Sequence, residues 1–163
     1  MRLFIAIKLS EEMTDALANI QKQMYDYGVR GNFTSKENMH LTLAFIGEYP
    51  DADLVLEALS EVPFTPFDLC LDGVGSFGDL WWAGLKESIP LAAVTRKVRR
   101  VLAEHGIPFD RKKSLPHITL IRKMRGEMPG VQMEMVSMRV ERISLMRSDR
   151  GRNGMIYTEL GAI

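Results

Sequence analysis

The chain nearly repeats itself, and the repeat limits how it can fold. His40-Leu41-Thr42-Leu43 and His117-Ile118-Thr119-Leu120 share one pattern at an offset of 117 − 40 = 77 residues. The same offset carries Leu3-Phe4-Ile5-Ala6 onto Leu80-Trp81-Trp82-Ala83, two bulky apolar runs of strand character. Between strand and His motif, Met13, Ala16, Leu17, Ile20, Met24 and Tyr27 follow helical spacing in the first copy. Leu91, Val94, Val98, Val101 and Leu102 do the same in the second. Ser10 and Ser88 suit the N-caps, Gly28 and Gly106 the C-terminal ends, and Pro90 is tolerated in a first turn. Each half therefore reads strand, helix, His-x-Thr strand. The predicted fold class is α+β: two pseudo-symmetric lobes, each an antiparallel sheet with outer helices, and a groove between them. The two copies run roughly over 1–77 and 78–163 of a single domain spanning 1–163.

Beyond the repeat, Asp51 to Val62 is expected to form a short helix. Phe67 to Phe77, Val131 to Met138, Val140 to Met146 and Met155 to Leu160 are expected to be strands. The run from Arg147 to Gly154 is expected to be a turn or mobile loop. With 46% hydrophobic and 26% charged residues, the chain can bury a core, and disorder is excluded. No apolar run is long enough to cross a bilayer. One cysteine, Cys70, permits neither an internal disulfide nor a cysteine-rich zinc site. A cytoplasmic protein with no membrane partner is expected.

The net charge is zero, but unevenly spread. Residues 1–85 hold 5 Lys and Arg against 13 Asp and Glu, while residues 86–163 hold 16 against 8. Either the second half meets an anionic partner, or the halves neutralise each other by packing together.

On a strand, residues i and i+2 share a face. His40 and Thr42 therefore point one way, and Leu41, Leu43 and Phe45 the other. In the second copy His117 and Thr119 share a face opposite Ile118 and Leu120. A pseudo-twofold axis would bring the two polar faces together. Two imidazoles can then act as one acid and one base near neutral pH, and two hydroxyls can donate to phosphate oxygens. That set suits metal-free cleavage of a phosphodiester. A zinc site is the rival use of two histidines, but the nearby ligand supply is poor. His105 reads as a helix-end residue favoured by the dipole.

These motifs resemble the 2H phosphoesterase superfamily, and within it the bacterial and archaeal RNA 2′,3′-cyclic phosphodiesterases, also called 2′-5′ RNA ligases. The likeness is carried by Arg2-Leu3-Phe4-Ile5-Ala6-Ile7, by the segment from Glu37 to Glu48, by Gly73-Val74-Gly75-Ser76-Phe77, by Trp82-Ala83-Gly84-Leu85, and by Pro116 to Arg122. The resemblance implies His40 as proton donor and His117 as proton acceptor. It also implies that Thr42, Thr119 and Arg122 bind substrate, with no metal and no cofactor. The implied partner is RNA ending in a 2′,3′-cyclic phosphate, tRNA fragments among the candidates, and the implied state is a monomer. Basic residues at Arg111-Lys112-Lys113 and Arg122-Lys123 would guide the strand. Strict alternation from His117, however, puts Arg122 on the wrong face of its strand. Two other readings of the site are turnover of small cyclic nucleotides and a non-catalytic module that holds RNA ends.

Overall fold

A computed structural model describes residues 1–163. In chain order the elements are β1 (Arg2–Lys8), α1 (Glu11–Asp26), β2 (Arg30–Phe33), β3 (His40–Glu48), α2 (Ala52–Leu59), β4 (Phe67–Phe77), β5 (Leu80–Leu85), α3 (Ile89–Glu104), β6 (His117–Arg125), β7 (Ser137–Val140), β8 (Ser144–Gly151) and β9 (Gly154–Ala162). All strand pairs are antiparallel. One sheet has the order β3-β1-β8-β9, the other β2-β6-β5-β4-β7.

The repeat is visible in the principal elements, although β2 and α2 have no counterpart 77 residues further on. β3 and β6 begin 77 residues apart, and so do β4 and β8. In each helix a serine side chain accepts the third helical N–H at 3.2 Å, Ser10 from Met13 and Ser88 from Leu91. Each helix buries the apolar stripe that the spacing predicts, except for Tyr27, which caps the C-terminal end of α1 and is exposed.

The two copies do not stay apart. β8 and β9, from the second half, complete the sheet of β1 and β3, while β2 and β4, from the first, complete the sheet of β5 and β6. α1 lies on β6 and α3 on β3. The Gln21 side chain of α1 donates to the Leu120 carbonyl at 2.9 Å. In the reverse direction, Asp110 N–H donates to the Phe45 carbonyl of β3 at 2.8 Å. A continuous core of 35 buried residues draws on both sheets and all three helices.

Three expectations need correction. Residues 131–136 are not a strand; they run irregularly beside β4, held by Leu71 N–H on the Val136 carbonyl at 2.9 Å. Val140 to Met146 is broken at Glu141-Arg142, after which Ile143 exchanges two backbone hydrogen bonds with Ile163. Residues 147–151 are strand, not loop. They pair from Arg147↔Thr158 to Gly151↔Gly154, leaving only Arg152 and Asn153 in the turn. The hairpin projects polar residues toward water on a half-buried rim, so its composition imitates a loop.

Strand alternation also fails at two symmetric positions, among other irregularities of the ladders. Against β1, Ile5 and Ala6 face Ala44 and Thr42, so Leu43 is an extra residue. Against β5, Trp81 and Trp82 face Ile121 and Thr119, so Leu120 is extra. These are β-bulges at positions 77 apart. At each, two consecutive side chains enter the core: Leu43 and Ala44, then Leu120 and Ile121. The parity of the following residue is reversed. Beyond the second bulge, Lys123 adopts a left-handed φ of 54° opposite Gly31. A Cβ on Gly31 would stand 2.8 Å from the Lys123 carbonyl and 3.0 Å from that of Arg122. Gly31→Ala should therefore cost about 1–3 kcal/mol in chemical denaturation. A stability equal to the parent's would show that this approach is not tight.

Candidate active site

β3 and β6 open with their histidines, and both rings line one groove of 680 Å³ together with Thr42, Thr119 and Arg122. All five residues singled out from the sequence therefore share one cavity. Arg122 reaches it because the Leu120 bulge turns its side chain to the side that holds Thr119. Phe45, expected in the core with Leu41, is turned into the groove by the matching bulge at Leu43. The Arg2 guanidinium lies 4.8 Å above its ring centroid, a cation–π contact.

Each imidazole is fixed in the same way. His40 Nδ1 lies 2.7 Å from the Asn38 carbonyl, and His117 Nδ1 lies 2.7 Å from the Leu115 carbonyl. A carbonyl can only accept, so Nδ1 carries the hydrogen on both rings. Each Nε2 is left to give or take a proton. Aromatic neighbours restrict ring rotation. Phe4 and Tyr157 flank His40 at 4.9 and 5.2 Å between centroids, and Phe77 and Trp82 flank His117 at 5.1 and 6.2 Å.

The pKa of His40 lies below its ordinary value of 6.5. Burial is the main cause, since it disfavours the charged ring. The charges of Arg122 and His117 push the same way, and the hydrogen bond to Asn38 opposes them.

Asn38, Leu115, Phe45, Phe77 and Tyr157 also belong to the site, and sequence reasoning misses them. Phe77 ends the Gly73–Phe77 segment of the family likeness but is not marked there as a site residue, and Tyr157, within β9, carries no motif. The two backbone carbonyls that hold the rings, at Asn38 and Leu115, do have a signal: both lie two residues before a histidine. His105 is elsewhere, at the end of α3 and bonded to Glu61. No group of three His, Cys, Asp or Glu side chains converges anywhere in the structure in a way that could hold a metal ion.

A fold of two interlaced antiparallel sheets presenting paired His-x-Thr strands defines a two-histidine phosphoesterase. Comparison with known proteins agrees. Residues 7–80 match the family described as LigT like Phosphoesterase. An RNA 2′,3′-cyclic phosphodiesterase of Aeropyrum pernix is 30% identical over 91% of this chain and 94% of its own. That of Archaeoglobus fulgidus is 34% identical over 77% of this chain and 74% of its own. A Geobacillus stearothermophilus protein of the same description is longer: at 33% identity, the match spans 43% of it. Among solved structures, a Thermus thermophilus protein superposes with a TM-score of 0.84 at 29% identity, covering 100% of this chain and 97% of that one. Escherichia coli LigT bound to 3′-AMP gives 0.82 at 25%, covering 99% and 96%. The chain belongs to the LigT-like family of 2H phosphoesterases and is a phosphodiesterase.

The electrostatics can be checked by NMR. The His40 ring should titrate below 6.5. Replacing Arg122 by Gln removes one positive neighbour, so the midpoint should rise toward that value without reaching it, because burial remains. A midpoint at or above 6.5 in the parent would contradict this account.

Proposed function

We propose that the protein hydrolyses the terminal 2′,3′-cyclic phosphate of RNA to a 2′-phosphate without a metal ion. The observation that carries this is the matched pair of imidazoles, each held through Nδ1 by a carbonyl two residues earlier and lining one groove with two threonines. Relatives described as RNA 2′,3′-cyclic phosphodiesterases and a neighbour solved with 3′-AMP support the substrate class.

In the proposed reaction His117 Nε2 takes a proton from water as the water oxygen attacks phosphorus. The P–O3′ bond breaks, its electron pair stays on the 3′ oxygen, and His40 Nε2 supplies the proton that makes a hydroxyl. Exchange with solvent then resets both rings. Thr42 and Thr119 donate to the non-bridging oxygens, and Arg122 adds positive charge as negative charge grows there. His40 favours its neutral form in the free groove, so the donor form is completed by the substrate: an anionic phosphodiester beside the ring favours the imidazolium. Each half of the chain contributes one histidine, so one monomer holds a whole site. By microscopic reversibility the site could also join a cyclic phosphate end to a 5′-hydroxyl, with hydrolysis the main reaction.

His40→Ala and His117→Ala should each lower kcat by about 10²–10⁴-fold, since each removes a proton transfer. The double variant should lose less than the product of the two losses. The assay is hydrolysis of an oligonucleotide ending in a 2′,3′-cyclic phosphate, with EDTA present. Parent-level activity in either single variant would refute the two-histidine mechanism. Loss in EDTA reversed by zinc would revive the metal reading.

A further inference from the structure

A second cavity, of 750 Å³, adjoins the groove and shares Thr42 and His117 with it. Its wall is cationic: Arg96, Arg99 and Arg100 come from α3, and Arg111 and Lys113 from the segment before β6. No carboxylate lines it, and none of the five cations takes part in an ion pair. Arg96 and Arg100 are four residues apart on one helix face, where like charges cost stability. The fold carries that cost uncompensated. The floor is apolar. Phe109 lies under the guanidiniums of Arg99 and Arg111 at 5.1 and 4.6 Å, and Leu115 is 65% exposed. The Arg99 side chain is further fixed by donating to the Asp110 carbonyl at 3.1 Å.

We infer that this cavity binds the sugar–phosphate backbone of the substrate strand on the 5′ side of the reacting end, an inference that rests on the cyclic phosphodiesterase reading. The charge of the two cavities separates their roles. The groove between the histidines mixes Arg2, Arg122 and Arg150 with Glu48 and Asp149. That mixture suits one nucleotide with its reacting phosphate. The second cavity offers only positive charge over an apolar floor, the combination that holds single-stranded nucleic acid through phosphates and stacked bases. In hydrolysis the reacting phosphate is the last one, so every further phosphate lies 5′ of it. The shared Thr42 and His117 make the two cavities continuous at the point where the strand must leave. The cavity thus gives the enzyme a preference for oligonucleotides over mononucleotides.

The test uses the full chain with Arg96→Gln and Arg100→Gln combined, both exposed side chains. Hydrolysis of a nucleoside 2′,3′-cyclic monophosphate should keep the parent's kcat/KM. With a ten-nucleotide single-stranded RNA ending in the cyclic phosphate, kcat/KM should fall roughly 15-fold at about 0.15 M salt, the loss of two single-strand phosphate contacts. The slope of log affinity against log salt should shrink by about 1.4. The matching Arg→Lys pair should keep most of the parent's preference. Fluorescence anisotropy with a ten-nucleotide RNA ending in a 2′-phosphate, the uncleavable product, should show the same loss. Equal loss on both substrates, no loss on either, or loss confined to joining a 5′-hydroxyl strand would overturn the inference. So would a parent dimer that the variant dissolves while RNA binding is unchanged, since a second copy would then be the occupant. If the parent turned over neither substrate, the cyclic phosphodiesterase reading would fail by itself, and anisotropy would still decide whether the cavity holds RNA.

Discussion

Backbone exchange between the two halves is the constraint on which the site depends. β2 hydrogen-bonds to β6, Asp110 bonds back to β3, and each long helix lies on the sheet of the other copy. Separately, a repeat of this size would bury a smaller share of its surface and be less stable. Interlaced, the copies share one core, and the distance between β3 and β6 is set by that core instead of by a flexible linker. Proton transfer needs this rigidity, because donor and acceptor must stand on either side of one phosphorus within a fraction of an ångström. The carbonyls of Asn38 and Leu115 extend the same control to the ring orientations.

A symmetric scaffold still has to produce an asymmetric reaction. The paired bulges do this with little change in backbone. Both reverse strand parity at equivalent places, but what they deliver differs: Phe45 in one copy, Arg122 in the other. One bulge thus lines the groove with an aromatic ring that lies under Arg2, and the other lines it with a cation. Arg122 also biases His40 against the proton that His40 is proposed to give away. That opposition is useful. An imidazolium that gains its proton only beside a bound anion is a stronger acid than one saturated with protons in advance.

The repeat, the helices with their serine caps, and the four polar residues of the two motifs are legible in the sequence, because local spacing and side-chain type determine them. The lapses share a cause. Perfect alternation assigns Arg122 and Phe45 to the wrong face, and one extra residue in each strand reverses that assignment. A run such as Thr119-Leu120-Ile121-Arg122 hints at this, since two adjacent apolar residues precede a charged one; reading it as a bulge requires knowing the partner strand. The β8–β9 rim reads as a loop because Arg147, Ser148, Asp149 and Arg150 pair with a strand across a two-residue turn that their composition hides. Exchange between halves has no local signal at all, being a matter of which edge a segment joins.

The division of charge between the halves bears on what the surface is for. Interlacing could have let the acidic first half neutralise the basic second. It does so sparingly: only His105–Glu61 and Arg139–Asp68 join a side chain of one half to a side chain of the other. The remaining ion pairs are made within a half, and the arginines of α3 stay out of all of them. Surface ion pairs are worth little, on the order of 0–1 kcal/mol, so pairing these cations would have gained the fold little. A polyanion that displaces their counterions gains much more, because each phosphate neutralised releases bound salt. Charges that contribute little to stability and face a cavity beside His117 are thus free to serve recognition.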